Sequence, residues 1–173
     1  MFKAELTVED ARAGMLKLQP KIERYADLIV RKGVNVEAGQ EVVIQAPVEV
    51  APFVRTLVAR AYAAGAGHVT VIWSDDEITR LTYENVEASW FETVPSWQRE
   101  QLDSLAEGGA CFIFVEGADP EALKGIDPAK PAAASKARNT QCKAYRRGMD
   151  FNINPWCIAG APVVAWARRV YPG

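Results

Sequence analysis

The sequence contains almost no histidine and little cysteine. His68 is its only histidine, and the three cysteines, Cys111, Cys142 and Cys157, lie far apart. An odd number of separated cysteines gives neither a disulfide framework nor a zinc-type pair. A catalytic zinc ion usually needs at least two nitrogen or sulfur ligands. We therefore expect His68 to be an ordinary residue at the edge of a strand, and we expect the cysteines to pack as small hydrophobic residues. We also expect the chain to bind no metal ion or cofactor of its own. A two-metal site built from carboxylates alone is the alternative.

Long apolar runs are also missing. The longest are short, such as residues 110–115, and a membrane-spanning helix needs about 20 apolar residues. The amino terminus has no basic region followed by an apolar stretch, so it does not resemble a secretory signal. The net charge of −2 gives no reason to expect a nucleic acid or a membrane as partner. We expect a cytoplasmic protein.

Glycine is absent from the turn where nucleotide-binding folds need it. The turn after the first predicted strand, residues 46–52, contains none, which excludes a dinucleotide fingerprint and a P-loop there. Gly65 and Gly67 precede a predicted strand, so they indicate the end of a helix. No Gly-x-Ser-x-Gly elbow occurs. Because none of these nucleotide-binding or nucleophile motifs is present, sequence motifs identify no catalytic residue.

Charge is uneven along the chain. Residues 75–107 carry nine acidic and two basic side chains, whereas residues 121–147 carry seven basic and two acidic ones. A basic stretch is compatible with phosphate contacts. We expect instead solvated helix faces or mutual ion pairs.

Short apolar runs predict the core of the fold. They are rich in β-branched and aromatic residues and do not strictly alternate, which is typical of strands buried on both faces. Residues 50–62 have apolar side chains at helical spacing between the first two runs, and this strand–helix–strand order predicts parallel pairing. The fold class is therefore α/β, with three layers and a mostly parallel sheet covered by helices on both faces. The four predicted strands are residues 42–46, 69–73, 110–115 and 156–159.

Other segments predict further helices. We expect two helices within residues 75–107, the second capped by Ser96, and a helix that begins at Asp119 and Pro120. An alanine-rich helix is predicted over residues 129–149 and a short one over residues 162–170. Residues 1–18 are interpreted as an amino-terminal arm with a helix at residues 20–32 after it, and residues 19–173 as a single α/β domain.

A set of sequence blocks resembles a known family. Residues 73–81, Trp73-Ser74-Asp75-Asp76-Glu77-Ile78-Thr79-Arg80-Leu81, fit the pattern Trp-x-Asp-Asp-Glu-x-Thr-Arg-x. Further blocks lie, in order, at residues 25–30, 33–36, 39–42, 46–49, 53–55, 125–128 and 162 with 165–167. Together they resemble the opening of the thermophilic-type metalloaminopeptidases, the family of aminopeptidase T and aminopeptidase S. The chain departs from the family at Val164, where a second proline is frequent, and in residues 149–154.

The resemblance implies a function for a larger protein. Members of the family release amino-terminal residues from peptides, usually as homodimers, with two divalent metal ions (zinc, cobalt or manganese). The metal ligands lie in a carboxy-terminal domain, and no position of this sequence matches them. The resemblance therefore implies that this chain is the amino-terminal domain without its metal domain. We expect it to be inactive alone, and to contribute a cleft wall and contacts with the second domain or a second subunit.

Two other interpretations stay open. The chain is either a free-standing α/β module that binds a small ligand without peptidase activity, or a purely structural or dimerisation domain. A fold by itself does not decide function. A reading frame that continues for about 200 residues past Gly173, with histidine- and glutamate-rich sequence, would favour the peptidase.

The candidate site follows from the predicted topology. Ligands of parallel α/β sheets gather beyond the carboxyl ends of the strands, where Glu49 follows the first strand and Asp75 and Asp76 follow the second. Arg80 lies one helical turn after Asp76, at a spacing that allows an ion pair. We predict that Glu49, Asp75, Asp76 and Arg80 line a cleft that faces a second domain or a substrate terminus.

Overall fold

A computed structural model describes residues 8–117, 119–163 and 166. Its strands form one four-stranded sheet in the order β2-β1-β3-β4, and every neighbouring pair is parallel. The predicted three-layer α/β fold is confirmed. The strands are β1 Glu41–Pro47, β2 His68–Ser74, β3 Cys111–Glu116 and β4 Trp156–Gly160.

Helices connect the strands and cover both faces. A π-helical turn at Ile29–Gly33 follows α1 directly. Short 3-10 turns precede two other helices, at Val48–Val50 before α2 and at Ala88–Glu92 before α4. Gly65, with a φ of 103°, follows the end of α2. In the part of the chain that the structure describes, no helix is long and apolar enough to cross a membrane. The helices are α1 Val8–Leu28, α2 Ala51–Ala63, α3 Asp76–Asn85, α4 Ser96–Glu107, α5 Ala129–Gln141 and α6 Lys143–Asp150.

The core is divided between the two faces of β1. Ile44 packs with α1, the π-helical turn and α2, where Val30 of the turn and Leu57 of α2 are fully buried. Val43 packs on the other side of the sheet with α4, α5 and α6. On that second side the fully buried Phe112 meets the Tyr145 ring edge to face, with centroids 5.3 Å apart. Each large side chain of this kind stabilises the fold by about 1.5–3 kcal/mol. Burial on both faces explains why β1 and β3 have apolar residues at consecutive positions.

The predicted helix at Asp119 is wrong. Residues 120–125 form consecutive turns, because the Asp119 carboxylate accepts a hydrogen bond from the Glu121 amide and closes a local turn. The predicted cap at Ser96 is also wrong, since the cap position of α4 is Pro95 and Ser96 lies in the first helical turn.

The predicted helix over residues 129–149 is two helices. The chain breaks at the buried Cys142, whose ψ of 74° is not helical. The Asp103 carboxylate then accepts a hydrogen bond from the Tyr145 amide, so a side chain of α4 satisfies the first turn of α6.

At the amino terminus, α1 begins at Val8 and contains Pro20 in its interior, so the helix predicted from residue 20 begins earlier and includes part of the predicted arm. The predicted helix over residues 162–170 falls mostly outside the described residues, as does the start of the predicted arm.

Candidate functional site

The order of the strands creates a crevice at the carboxyl edge of the sheet, by which we mean the edge where all four strands end. From β1 the chain crosses over to β2 on one side, and later to β3 on the other side. Parallel sheets bind ligands at such a reversal, outside the carboxyl ends of the strands. The crevice therefore lies between the segments that follow β1 and β3.

A cleft of about 340 Å³, which we call the acidic cleft, occupies this position. Four carboxylates surround it, and they come from the segments after three strands. Such a concentration of negative charge attracts cations and repels anions. The lining residues are Glu49, Asp76, Glu77, Gly117, Asp119, Pro162 and Val163.

Asp75 has a local structural role beside the cleft. Its side chain accepts a hydrogen bond from the Ile78 amide over 2.9 Å and caps the amino terminus of α3. Such caps stabilise a protein by about 0.5–2 kcal/mol. The cap fixes where α3 begins, and therefore where Asp76 and Glu77 lie in the cleft.

Asp76 and Arg80 fasten the segment that follows β3. The Asp76 carboxylate accepts a hydrogen bond from the Asp119 amide over 2.6 Å. The Arg80 guanidinium donates to the carbonyl oxygens of Ala122 and Lys124, over 2.9 and 3.0 Å. The two residues thus hold both ends of the turns at residues 119–125 against α3.

The predicted ion pair between Asp76 and Arg80 is replaced by another. Arg80 pairs with Glu84 over 2.8 Å, one turn further along α3, and Asp76 is directed to the Asp119 amide. The structure therefore brings Glu49 and Asp76 into one cleft, while Asp75 and Arg80 support its wall from outside.

A second cleft, which we call the glutamine cleft, lies on the α4–α5 side of the same edge and has a volume of about 380 Å³. It contains Gln45 of β1 and Arg138 of α5, whose side chains are hydrogen-bonded over 3.0 Å. Sequence reasoning missed both residues. The available signal was a glutamine inside a central strand that is otherwise apolar over residues 42–46.

Comparison with known proteins identifies the family. A family model described as thermophilic metalloprotease (M29) matches residues 18–173. The chain belongs to the M29 family.

Relatives in the M29 family are aminopeptidases. Aminopeptidase AmpS of Bacillus subtilis (strain 168) is 42% identical over 153 residues, which are 88% of this chain and 37% of that protein. Aminopeptidase T of Thermus thermophilus is 36% identical over 152 residues, again 88% of this chain and 37% of the relative. The solved structure of wild-type AmpT from Thermus thermophilus has a TM-score of 0.81 at 35% identity, over 90% of this chain and 39% of that one. The chain thus spans less than two fifths of these proteins and matches their amino-terminal part.

The M29 family is a family of metalloproteases, but the described residues do not fit a metal centre. Within residues 8–117, 119–163 and 166, no group of three or more His, Cys, Asp or Glu side chains could hold a metal ion. His68 lies at the start of β2, at the opposite edge of the sheet from the acidic cleft, and its Nδ1 is 3.2 Å from Glu41 Oε1. It cannot join the carboxylates of the cleft as a ligand.

The cysteines of this M29 chain are protected thiols. Cys111 and Cys142 are buried, Cys157 is half-buried, and all three are free. Burial raises the pKa of the Cys111 thiol to about 12, and burial also raises the pKa of Cys142 and Cys157. Because the thiolate is the reactive form, these side chains are suited to packing and not to nucleophilic catalysis.

Proposed function

We propose that this chain is the amino-terminal domain of a metal-dependent aminopeptidase, an enzyme that releases amino-terminal residues from peptides. The observation that carries the proposal is the match to the M29 family over residues 18–173. In this proposal a carboxy-terminal domain outside the present sequence holds two divalent ions (zinc, cobalt or manganese) and the catalytic residues. The chain alone is inactive, and the whole enzyme is a cytoplasmic homodimer.

The acidic cleft is the part of the chain that we assign to the active enzyme. A peptide substrate of an aminopeptidase presents a free ammonium group, which the carboxylates of Glu49 and Asp76 attract. Asp75 and Arg80 keep the wall in place through the cap on α3 and the anchored turns. The proposal is that this wall faces the second domain, with substrate passing between them.

A second surface is suited to contacts with the remaining domain or with another subunit. We call it the β4 surface. Trp156 and Ile158 lie two residues apart on the face of β4 that points toward the α6 side, and they are 40% and 61% exposed. Phe151 and Ile153, just before the strand, are 74% and 59% exposed. Clusters of large exposed apolar side chains mark interaction sites, and β4 is an edge strand.

A chimera tests the proposal. Residues 18–173 would replace the matching amino-terminal part of Bacillus subtilis aminopeptidase AmpS, and hydrolysis of amino-acyl chromogenic substrates would be measured with added cobalt, zinc or manganese. We expect the chimera to be active, and the isolated chain to be inactive and free of metal after dialysis. A folded, metal-loaded chimera without activity would contradict the proposal, as would metal-dependent activity that purifies with the isolated chain.

Variants of the chimera test the cleft. Asp76→Ala should lower kcat/KM by about tenfold or more, because it removes a carboxylate from the cleft and releases the Asp119 amide. The control is Glu107→Ala at the end of α4, an exposed carboxylate before β3 and away from the carboxyl edge, which should leave kcat/KM unchanged. Equal effects of both variants would remove the acidic cleft from the proposal.

A further inference from the structure

The glutamine cleft has a polar centre and apolar walls. In the sheet, Gln45 is in register with Ile72 on one side and with Phe114 on the other. These three side chains form a row across β2, β1 and β3 at the base of the cleft, and Trp73 and Arg138 add to its lining. Gln45 therefore has a strand position at which a packed sheet normally carries an apolar residue.

The contact with Arg138 fixes which way the Gln45 amide points. Arg138 Nη2 donates to Gln45 Oε1 over 3.0 Å, so the amide oxygen faces the arginine and Nε2 faces away from it. Nε2 is buried and has no acceptor among the described residues. Buried donors in native proteins almost always have a partner, so this amide lacks an acceptor.

Arg138 forms no ion pair with a described residue. It is half-buried and its Cζ lies 5.4 Å from the centre of the Tyr145 ring. Over the described ranges, no carboxylate lies within ion-pair distance of its guanidinium, which donates a hydrogen bond to the neutral Gln45 amide. The guanidinium therefore keeps N–H groups for another acceptor, since it has five in all.

We propose that the glutamine cleft binds a carboxylate that is attached to an apolar group, as in the α-carboxylate of an apolar amino acid or short peptide. A carboxylate has only acceptor atoms, and its two oxygens match the planar fork of Arg138, which the bond to Gln45 Oε1 holds at the cleft. Ile72 and Phe114, which share the face of Gln45, supply the apolar contact. A dianion such as phosphate is disfavoured, because Glu116 also lines the cleft and only one arginine does.

The volume of the glutamine cleft and its position in the fold agree with a small ligand of this kind. Small-molecule sites have volumes of about 300–1,000 Å³, and the glutamine cleft has about 380 Å³. It lies at the carboxyl edge of a parallel sheet, where such sites are usual. The inference does not rest on the proposed peptidase function, because neither the acidic cleft nor a second domain takes part in it.

The test is an NMR titration of the full 173-residue chain at low salt. The probes are N-acetyl-leucine, which has a carboxylate, and N-acetyl-leucinamide, which has the same shape without the charge. We expect the acid to shift the side-chain amide signals of Gln45 and the Nε signal of Arg138, with at least about tenfold tighter binding than the amide. A third probe, a blocked peptide with an internal glutamate, separates a terminal carboxylate from a side-chain carboxylate.

Four variants sharpen the result. Gln45→Glu places a carboxylate beside Arg138 inside the protein, so it should weaken acid binding about tenfold or more while the protein stays folded. Arg138→Lys should also weaken binding, because lysine lacks the fork. Glu116→Gln should strengthen binding severalfold, since it removes a repelling charge. The control Arg31→Lys, on the exposed side of the other helix layer, should change nothing.

Several outcomes would overturn the inference. They are equal binding of acid and amide, shifts that do not include Gln45 and Arg138, unchanged affinity in both the Gln45→Glu and Arg138→Lys variants, and no binding of the acid at about 50 mM. Tighter binding of the blocked glutamate peptide than of N-acetyl-leucine would overturn the assignment to a terminal carboxylate.

Discussion

Replacing Arg80 with methionine tests whether the Arg80 side chain anchors the turns at residues 119–125 to α3. The variant keeps most of the apolar stem and removes the guanidinium, with its bonds to the carbonyls of Ala122 and Lys124 and its ion pair with Glu84. Hydrogen bonds to charged groups contribute about 1.5–3 kcal/mol. Because the Arg80 side chain is 40% exposed, solvent reduces each to about 1 kcal/mol.

The exposed Arg80–Glu84 pair adds only about 0.3–0.5 kcal/mol. The sum of about 2 kcal/mol lowers Tm by about 4–8 °C in a chain of this size. The effect is on stability because the contacts of Arg80 are structural. Calorimetry gives Tm, and hydrogen exchange at the Lys124 and Ile126 amides, which close turns in the segment, should be faster in the variant.

Glu84→Gln is the matched control, because it removes the ion pair and leaves both carbonyl contacts. We expect it to change Tm by about 1–2 °C at most. If Glu84→Gln is as destabilising as Arg80→Met, or if Arg80→Met melts like the wild type, the anchoring role of Arg80 is refuted.

Three further predictions concern other parts of the chain. Gly148→Ala should destabilise by more than about 3 kcal/mol in urea unfolding, because the added Cβ would overlap Asn154 Oδ1; a change below about 1 kcal/mol would show that α6 moves aside freely. The Cys111 thiol should not react with a disulfide reagent in the native protein at pH 8 and should react after unfolding, because its raised pKa keeps it protonated; rapid native labelling would contradict its burial. Ile158→Lys should reduce self-association and dye binding of the isolated chain; a wild-type chain that is already a dye-silent monomer would favour the free-standing module.

The sheet was predictable from the sequence for a simple physical reason. Strands buried on both faces need consecutive apolar residues, and residues 42–46 and 110–115 have them. In α2, between β1 and β2, apolar side chains recur at helical spacing because one side of the helix packs on the sheet. Parallel order follows from the strand–helix–strand sequence.

Two of the errors fall where a distant side chain contacts the local backbone. The break at Cys142 depends on Asp103 in α4, which caps the start of α6. The turns after Asp119 depend on Asp76 and Arg80, more than forty residues earlier. In both cases the local sequence alone favoured a continuous or new helix, and a tertiary hydrogen bond was decisive.

The candidate site was predictable only in part. The rule that strands end at one edge predicts Glu49 and Asp76 near one crevice, and both side chains line the acidic cleft. It could not reveal that the Asp119 amide donates to the Asp76 carboxylate, because that hydrogen bond joins residues 43 positions apart in the chain. It also missed the partnership of Gln45 and Arg138, which are 93 residues apart in the chain.

The sheet order also has a consequence for how the protein is made. Among the strands, β1 and β2 leave the ribosome first, with α2 between them, so this unit can pair as soon as residue 74 has emerged. β1 must then keep its other side open until β3 arrives, because Val42 pairs with Cys111. β4 is added last, against β3. During synthesis the apolar strand β1 therefore presents an unpaired edge while some seventy further residues are added, and an unpaired apolar edge is prone to aggregation.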